Sequence, residues 1–257
     1  MVRLAQPLRR QGFNVLLFDA RNPGASDVDT FSSVPRFAED PGAALRWLRN
    51  RHPARAKQIT VVGHSVGAGA ALFEATRNPQ IDAVIRIGTF ADSAQLTERC
   101  LSFHVPRLLV ALTKRYVEWV IGYRFATIAP VNSIRQLNCP VLLVHGAQDA
   151  TVPFEDGRQI FVAADPTHVR FLPIAGAGHD AVDKIEAHAS ELFDFIGCLQ
   201  GVSAGAPALV VPSVKRRAVG SMLPCDVGLG HPRTAGAGIE HVTLQPEPVE
   251  TIMAFPR

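Results

Sequence analysis

Short runs rich in β-branched residues alternate with longer helical patterns through the first 200 residues of this 257-residue chain. Such alternation is typical of a domain in which helices connect the strands of a parallel sheet. Strands are predicted at 14–19, 58–62, 83–87, 140–144 and 169–173, with helices at 40–50, 69–77 and 180–199. The sequence therefore predicts an α/β fold with a mostly parallel sheet and helices on both faces.

Two segments depart from this alternation. Residues 92–135 are too long for a plain connection, and their leucines, valines and aromatic residues predict a lid-like helical insert over one end of the sheet. Residues 201–257 contain seven glycines, seven prolines and one aromatic residue, so they offer little apolar surface to offset the entropy of ordering. We expect a core at 1–200 and a disordered, Gly/Pro-rich tail at 201–257, with a small extra lobe as the alternative for the tail.

Composition excludes several classes of protein. A formal net charge of +3 is too small to indicate a nucleic-acid partner. The four cysteines are widely spaced, so we expect neither a metal site nor a disulfide framework. No apolar run reaches the roughly 18 residues of a membrane span, and the N-terminal residues lack a signal-peptide pattern. We therefore expect a cytoplasmic protein without a metal, a cofactor or a transmembrane segment.

The strongest local motif is Gly63-His64-Ser65-Val66-Gly67, which follows a predicted strand and precedes a predicted helix. A serine hydroxyl becomes a nucleophile when a tight turn exposes it beside a base, and flanking glycines let such a turn form. Loops match this pattern often by chance, but the strand before it and the helix after it favour function. Ser65 is the candidate nucleophile, and the Val66 N–H at the helix start is a candidate oxyanion donor.

Two further polar residues follow predicted strands: Asp149 comes after 140–144, and His179 comes after 169–173. The carboxyl ends of parallel strands share one edge of a sheet, so we expect both residues near Ser65. Alone, Asp149 could be a turn residue, and His179 beside Asp180 could cap a helix. Together, the order Ser65, Asp149, His179 predicts a catalytic triad of nucleophile, acid and base.

With these motifs, residues 1–200 resemble the α/β-hydrolase superfamily, in which the elbow and the triad occur in this order. The segment 19–27 is similar to the DxRxxGxS pattern of many members, and the chain looks most like bacterial serine esterases, lysophospholipases and serine aminopeptidases. The resemblance implies cofactor-independent cleavage of a small-molecule carboxylic ester through an acyl-enzyme on Ser65. His179 would be the general base and Asp149 its orienting carboxylate. An amide or short peptide substrate, and acyl transfer, remain open alternatives.

One departure from the family concerns the second oxyanion donor. In the family, a loop with a His-Gly motif supplies it, after a strand that precedes the helix in which Met1 would lie. The resemblance implies that the first strands and this loop are absent, and we favour a gene start set too late over a fragment. The alternative function is a catalytically impaired or non-catalytic remnant.

Four residues are candidates for substrate binding. His64 is a common neighbour of the nucleophile in such elbows and is expected to be structural or to line the pocket. Phe103, Trp119 and Phe125 lie in the insert, where they could line an acyl or alcohol pocket. Ordinary packing between helices is the alternative for these three aromatic residues.

Overall fold

The computed structural model describes residues 2–22, 26, 29–101, 105–180, 182–199 and 250–256. Its strands are Phe13–Asp19 (β1), Thr60–His64 (β2), Ala83–Ile87 (β3), Val141–Gly146 (β4), Val169–Ile174 (β5) and Glu250–Pro256 (β6). They form one six-stranded sheet in the order β1-β6-β2-β3-β4-β5. The strands from β2 to β5 pair in parallel, whereas β6 is antiparallel to β1 and β2. The predicted, mostly parallel sheet is confirmed.

Helices connect and cover these strands. They are Val2–Arg10 (α1), Val34–Arg51 (α2), Val66–Ala75 (α3), Ser93–Leu101 (α4), Arg107–Ile121 (α5), Phe125–Ile128 (α6), Pro130–Ser133 (α7), Phe154–Ala163 (α8), Val182–Ala187 (α9) and Ala189–Cys198 (α10), with a 3-10 turn at Ile134–Gln136. The segment from α4 to the 3-10 turn is helical in its described residues, and its action as a lid stays a prediction. Among the described helices, none combines the length and the apolarity needed to cross a bilayer.

Both faces of the sheet are buried along β2, β3 and β4, which explains why these strands are nearly continuous apolar runs. On β4, Val141 and Leu143 join one core cluster, while Leu142 and Val144 join another on the opposite face. Residues of α2, α3 and α8 complete the first cluster, and residues of α1 and α10 complete the second. Burial of one large aliphatic side chain stabilises a fold by about 1.5–3 kcal/mol. The two clusters therefore hold the strand ends in place.

Helix α2 begins at Val34, well before the predicted start at residue 40. The Ser33 hydroxyl accepts a hydrogen bond from the Arg36 N–H at 3.4 Å, and Pro35 lies in the first turn. A helix that began at residue 40 would have Pro41 in its first turn, but Pro41 lies inside the observed helix. The predicted start was wrong because proline favours the first turn of a helix, and this segment contains two prolines. Pro35 occupies the first turn, and Pro41 does not.

Strand β6 corrects the prediction for the C-terminal tail. Residues 250–256 pair along the whole of β1, from Phe13 opposite Pro256 to Asp19 opposite Glu250, and their other edge pairs with β2. The prediction of disorder is wrong for this segment, and residues 201–249 and 257 lie outside the described residues. The glycines and prolines of the tail dominated its average composition and concealed a short apolar run. Two strands with unpaired backbone groups offer such a run hydrogen bonds on both sides.

Candidate active site

Ser65 lies between β2 and α3 with a φ of 52°. This left-handed conformation is uncommon for residues other than glycine and is typical of functional turns. The Ser65 N–H donates to the carbonyl oxygen of Ile87 at 2.9 Å. A Cβ on Gly63 would lie 2.5 Å from the carbonyl oxygen of Gly67. The first glycine of the motif is therefore required because β2 and α3 approach each other too closely for a side chain.

The structure brings the three predicted triad residues together. The Nε2 atom of His179 lies 3.0 Å from Ser65 Oγ, and its Nδ1 atom lies 2.8 Å from Asp149 Oδ2. With Nδ1–H donating to the carboxylate, Nε2 is left to accept the proton of the serine hydroxyl. Ser65 and His179 are half-buried, whereas Asp149 is buried. The arrangement can thus activate Ser65 as a nucleophile.

Asp149 is held as a charged group by its surroundings. Its Oδ1 atom accepts hydrogen bonds from the N–H groups of Thr151, at 2.9 Å, and Val152, at 2.7 Å. Burial opposes the charged form, but the hydrogen bonds from His179 and Val152 outweigh it and hold the pKa of Asp149 below its ordinary value of 3.8. The carboxylate is therefore ionised at neutral pH and can fix the ring orientation of His179.

His64 contacts the backbone of the base. Its Nε2–H donates to the main-chain oxygen of His179 at 3.0 Å, and the two rings lie 5.0 Å apart. Burial lowers the pKa of His64, which favours the neutral ring. The sequence suggested a structural or pocket-lining residue; the structure shows the contact that positions His179, and contact with a substrate stays a prediction.

The turn after β3 lies against the triad, although none of the sequence motifs includes it. Gly88 has a φ of 53°, and a Cβ there would lie 3.5 Å from both Asp149 Oδ2 and His179 Nδ1. A side chain at this position would strain the turn because of the positive φ, and its Cβ would be in van der Waals contact with the acid and the base. The sequence signal is the glycine that directly follows the buried strand β3.

Thr89 and Arg86 fix the same turn from within the core. The Thr89 hydroxyl donates to the main-chain oxygen of Ser65. Arg86, only 2% exposed, donates from Nη2 to the main-chain oxygen of Thr89 at 2.8 Å. Complete burial lowers the pKa of Arg86, against the attraction of Asp156. In the sequence, this network is indicated by Arg86, a single arginine within an apolar strand. A buried charged group usually needs a bonding partner.

The loop after β1 is anchored by Arg21. Its guanidinium contacts Asp29 at 3.0 Å, Glu39 at 2.8 Å and Asp40 at 2.7 Å. Asp40 is also bonded by the Arg21 main-chain N–H. This part of the DxRxxGxS-like segment thus ties the loop to α2.

The other predicted site residues, Val66 and the aromatic residues of the insert, have different environments. Val66 is the first residue of α3, where main-chain N–H groups have no acceptor within the helix. Phe125 is buried in a core cluster with Phe73 and Phe90, which matches the packing alternative. Trp119 is 78% exposed on α5, and Phe103 lies outside the described residues. The roles of the two described aromatic residues in a pocket stay predictions.

A cleft of about 280 Å³ lies at the other end of the sheet, away from the triad. It is lined by residues of β1, of α2 and of the turn after α2, among them Phe13, Val15, Trp47 and His52. These β1 residues lie at the start of the strand, whereas the triad follows the ends of strands. This cleft therefore does not supply the substrate pocket of the candidate site.

One group of possible metal ligands occurs among the described residues: His64, His179 and Asp180, with ligand atoms within 4.8 Å of one another. The Nε2 atom of His64 already contacts the His179 oxygen, and both ring nitrogens of His179 contact triad partners. A metal ion would have to displace these hydrogen bonds. The donor set therefore fits proton transfer better than metal binding.

A mostly parallel sheet that carries Ser65, Asp149 and His179 beyond the ends of three strands defines an α/β-hydrolase, and the chain belongs to this superfamily. Its residues 1–127 match the family model described as serine aminopeptidase, S33. It is 26% identical over 210 residues to lysophosphatidylserine lipase ABHD12 of Danio rerio, covering 76% of this chain and 53% of that protein. The chain spans about half the length of the curated relatives it matches.

Solved structures agree on the fold. The esterase Pf2001 of Pyrococcus furiosus superposes with a TM-score of 0.61 at 21% identity, covering 77% of this chain and 76% of the esterase. A puromycin-hydrolysing peptidase of Mycobacterium tuberculosis superposes with a TM-score of 0.52 at 20% identity, covering 65% of this chain and 26% of the peptidase.

Proposed function

We propose that the chain is a serine hydrolase that cleaves a carboxylic ester through an acyl-enzyme on Ser65. The observation that carries the proposal is the hydrogen-bonded chain from Ser65 Oγ through His179 to Asp149, with distances of 3.0 and 2.8 Å. Similarity to a protein named as a lipase and to a structure named as an esterase supports the ester class.

The chemistry follows from this chain of contacts. Ser65 Oγ attacks the ester carbonyl carbon while His179 Nε2 takes the hydroxyl proton, and the Val66 N–H stabilises the oxyanion. When the tetrahedral intermediate collapses, His179 gives that proton to the departing alcohol. Water then attacks the acyl-enzyme while His179 Nε2 takes a proton from it. His179 returns that proton to Ser65 Oγ as the acyl–Oγ bond breaks and the carboxylic acid leaves. Asp149 stays ionised throughout and stabilises the imidazolium.

Cleavage of an amide or a short peptide is the second candidate. It uses the same triad, and both the matching family model and one similar structure carry the names of peptidases. The third candidate is a catalytically impaired remnant of a hydrolase. Val66 supplies one oxyanion donor, and loss of one donor lowers kcat by about 10²–10³-fold in other serine hydrolases.

The test compares two reporter classes on one protein. We expect hydrolysis of p-nitrophenyl acetate and butyrate to exceed hydrolysis of aminoacyl p-nitroanilides, with a burst of one p-nitrophenol per Ser65. The Ser65→Ala variant serves as the control and should lose both the burst and turnover. Preference for the anilides would favour the peptidase, and equal rates for the two proteins would exclude Ser65 as the nucleophile.

A further inference from the structure

Asp156 is a buried carboxylate that connects separate parts of the fold. It lies in the first turn of α8, the helix that follows the loop of the acid Asp149, and its side chain is only 4% exposed. A buried carboxylate needs partners, because bonds must compensate for the loss of its hydration. The partners of Asp156 come from the insert at 92–135 and from the end of β3.

The partner from the insert is Arg99 of α4. Its Nη2 atom donates to Asp156 Oδ1 at 2.9 Å and to Asp156 Oδ2 at 2.7 Å. The other ion pairs among the described residues of the insert stay within it: Glu98 with Lys114, and Glu118 with Arg115 and Arg124. The pair of Arg99 with Asp156 therefore attaches the insert to the core through α8.

The partners at the end of β3 are a main-chain group and a charge. Asp156 Oδ2 accepts a hydrogen bond from the Ala91 N–H at 3.2 Å, and the carboxylate attracts the buried guanidinium of Arg86. Arg86 in turn donates to the carbonyl oxygen of Thr89 at 2.8 Å. Asp156 thus holds the turn after β3 directly at Ala91 and reaches Thr89 through Arg86.

This turn contacts the nucleophile and its partners. The Thr89 hydroxyl donates to the main-chain oxygen of Ser65, and Gly88 lies against Asp149 and His179. In enzymes, a displacement of about 1 Å that originates far from the reacting atoms can lower the rate by about 10²-fold. A small movement of the turn would therefore change the reactivity of Ser65.

From these contacts we propose that Asp156 is a positioning residue through which the attachment of the insert controls the turn that holds Ser65. Arg99 fixes the carboxylate from the side of the insert, and the carboxylate fixes the turn. Asp156 acts through the turn rather than on the reacting atoms. The effect on the rate rests on the proposed function, whereas the effect on the turn does not.

Glu155, the preceding residue of α8, offers a matched control. It pairs with Arg158 at 2.7 Å, but the two side chains are 51% and 54% exposed. Exposed ion pairs contribute little to stability because solvent screens them. Glu155→Gln therefore removes a carboxylate from the same helix without changing the turn after β3.

The first experiment measures kcat per active site titrated with a fluorophosphonate, so that misfolded protein is not counted. We expect Asp156→Asn to lower kcat for p-nitrophenyl acetate about tenfold with little change in KM, and Glu155→Gln to keep the parent's kcat. Thr89→Val interrupts the same route to Ser65. In the Thr89→Val background, Asp156→Asn should therefore lower kcat much less than it does in the parent.

The second experiment uses Arg99, which is 25% exposed and can be replaced even where Asp156→Asn does not fold. We expect Arg99→Gln to lower kcat about threefold and to speed hydrogen exchange in the peptide that contains Ala91. Arg99→Lys should restore both values, because one lysine nitrogen can bond both carboxylate oxygens, as Nη2 does.

Hydrogen exchange needs no turnover, so it separates this proposal from the proposed function. Faster exchange at Ala91 in Arg99→Gln, in a parent protein without ester hydrolysis, would support the coupling and reject only the hydrolase. Exchange in Arg99→Gln equal to that of the parent would overturn the coupling. In an active parent, so would an unchanged kcat in Asp156→Asn, or falls in kcat from Asp156→Asn and Thr89→Val that multiply in the double variant.

Discussion

The hydroxyl of Thr89 donates a hydrogen bond to the main-chain carbonyl of Ser65, so the turn after β3 holds the turn that carries the nucleophile. Thr89 is fully buried, and Ser65 is bonded at its other end by the Ile87 carbonyl. The uncommon backbone conformation of Ser65 is thus fixed on both sides, by the last residue of β3 and by the turn that follows it. Thr89 acts on the reaction through Ser65 and is a positioning residue.

We expect Thr89→Val to lower kcat by about tenfold with little change in KM. Loss of a buried hydrogen bond costs about 0.5–1.5 kcal/mol, and about 1.4 kcal/mol corresponds to tenfold in rate. Thr89→Ser keeps the hydroxyl and should retain activity. Thr76→Val is the matched control, because it removes a 2.8 Å hydroxyl bond to the Phe73 carbonyl away from the triad. Equal kcat in Thr89→Val and the parent would show that the bond does not position Ser65.

Asp149→Asn should leave the protein folded and reduce kcat by about 10⁴-fold. The asparagine can still accept the Thr151 and Val152 N–H groups, but it no longer holds His179 in the required tautomer. Circular dichroism tests whether the variant is folded, and steady-state kinetics measures the fall in kcat. Asp180→Asn, at the exposed neighbour of His179, is the control and should keep its activity. Near-normal turnover by Asp149→Asn would move the role of the acid elsewhere.

The stability of the protein should decline as the pH falls below about 6.5. Burial lowers the pKa of both His64 and His145 from the ordinary value of 6.5. The unfolded chain therefore binds protons that the folded protein does not, and the free energy of unfolding is greatest above 6.5 and is lost below it. Denaturant titrations from pH 8 to pH 5 measure this slope.

Variants show which histidine causes the dependence of the free energy of unfolding on pH. His145 is 1% exposed, and His145→Asn should flatten the decline between pH 7 and pH 5, whatever its effect on stability at pH 8. His52→Asn, at an exposed position, should leave the slope unchanged. A parent protein equally stable at both ends of the range would contradict the burial of these two rings.

Much of this arrangement follows from local sequence patterns, and the remainder depends on contacts between distant segments. The strands β4 and β5 are mostly apolar runs that the sequence reveals, and their order along the chain predicted Asp149 and His179 beside Ser65. The contact of His64 with the His179 backbone joins two separate turns, so no spacing in the sequence reveals it. The environment of Trp119 also could not be predicted from the sequence. An aromatic residue in the insert suggested a pocket, but the packing of α5 determines which of its faces is exposed.

The C-terminal strand offers a test of the sheet itself. Proline lacks the N–H that a central strand needs, so Met253→Pro should lower the melting temperature, whereas Met253→Val should not. Met253 is paired with Leu16 of β1 and with Val61 of β2. Each net backbone hydrogen bond contributes about 0.5–1.5 kcal/mol, and a typical domain has only about 5–15 kcal/mol in total. Equal melting temperatures would place β6 outside the sheet in solution.

Covalent labelling tests whether Ser65 is the nucleophile. A fluorophosphonate reacts with a serine only where a base and an oxyanion donor activate it. After incubation, intact mass spectrometry should show one adduct on the parent protein, and peptide mapping should place it on Ser65. The Ser65→Ala variant should remain unlabelled under the same conditions. Equal labelling of the two proteins, or an adduct on a different residue, would contradict the assignment of Ser65 as the nucleophile.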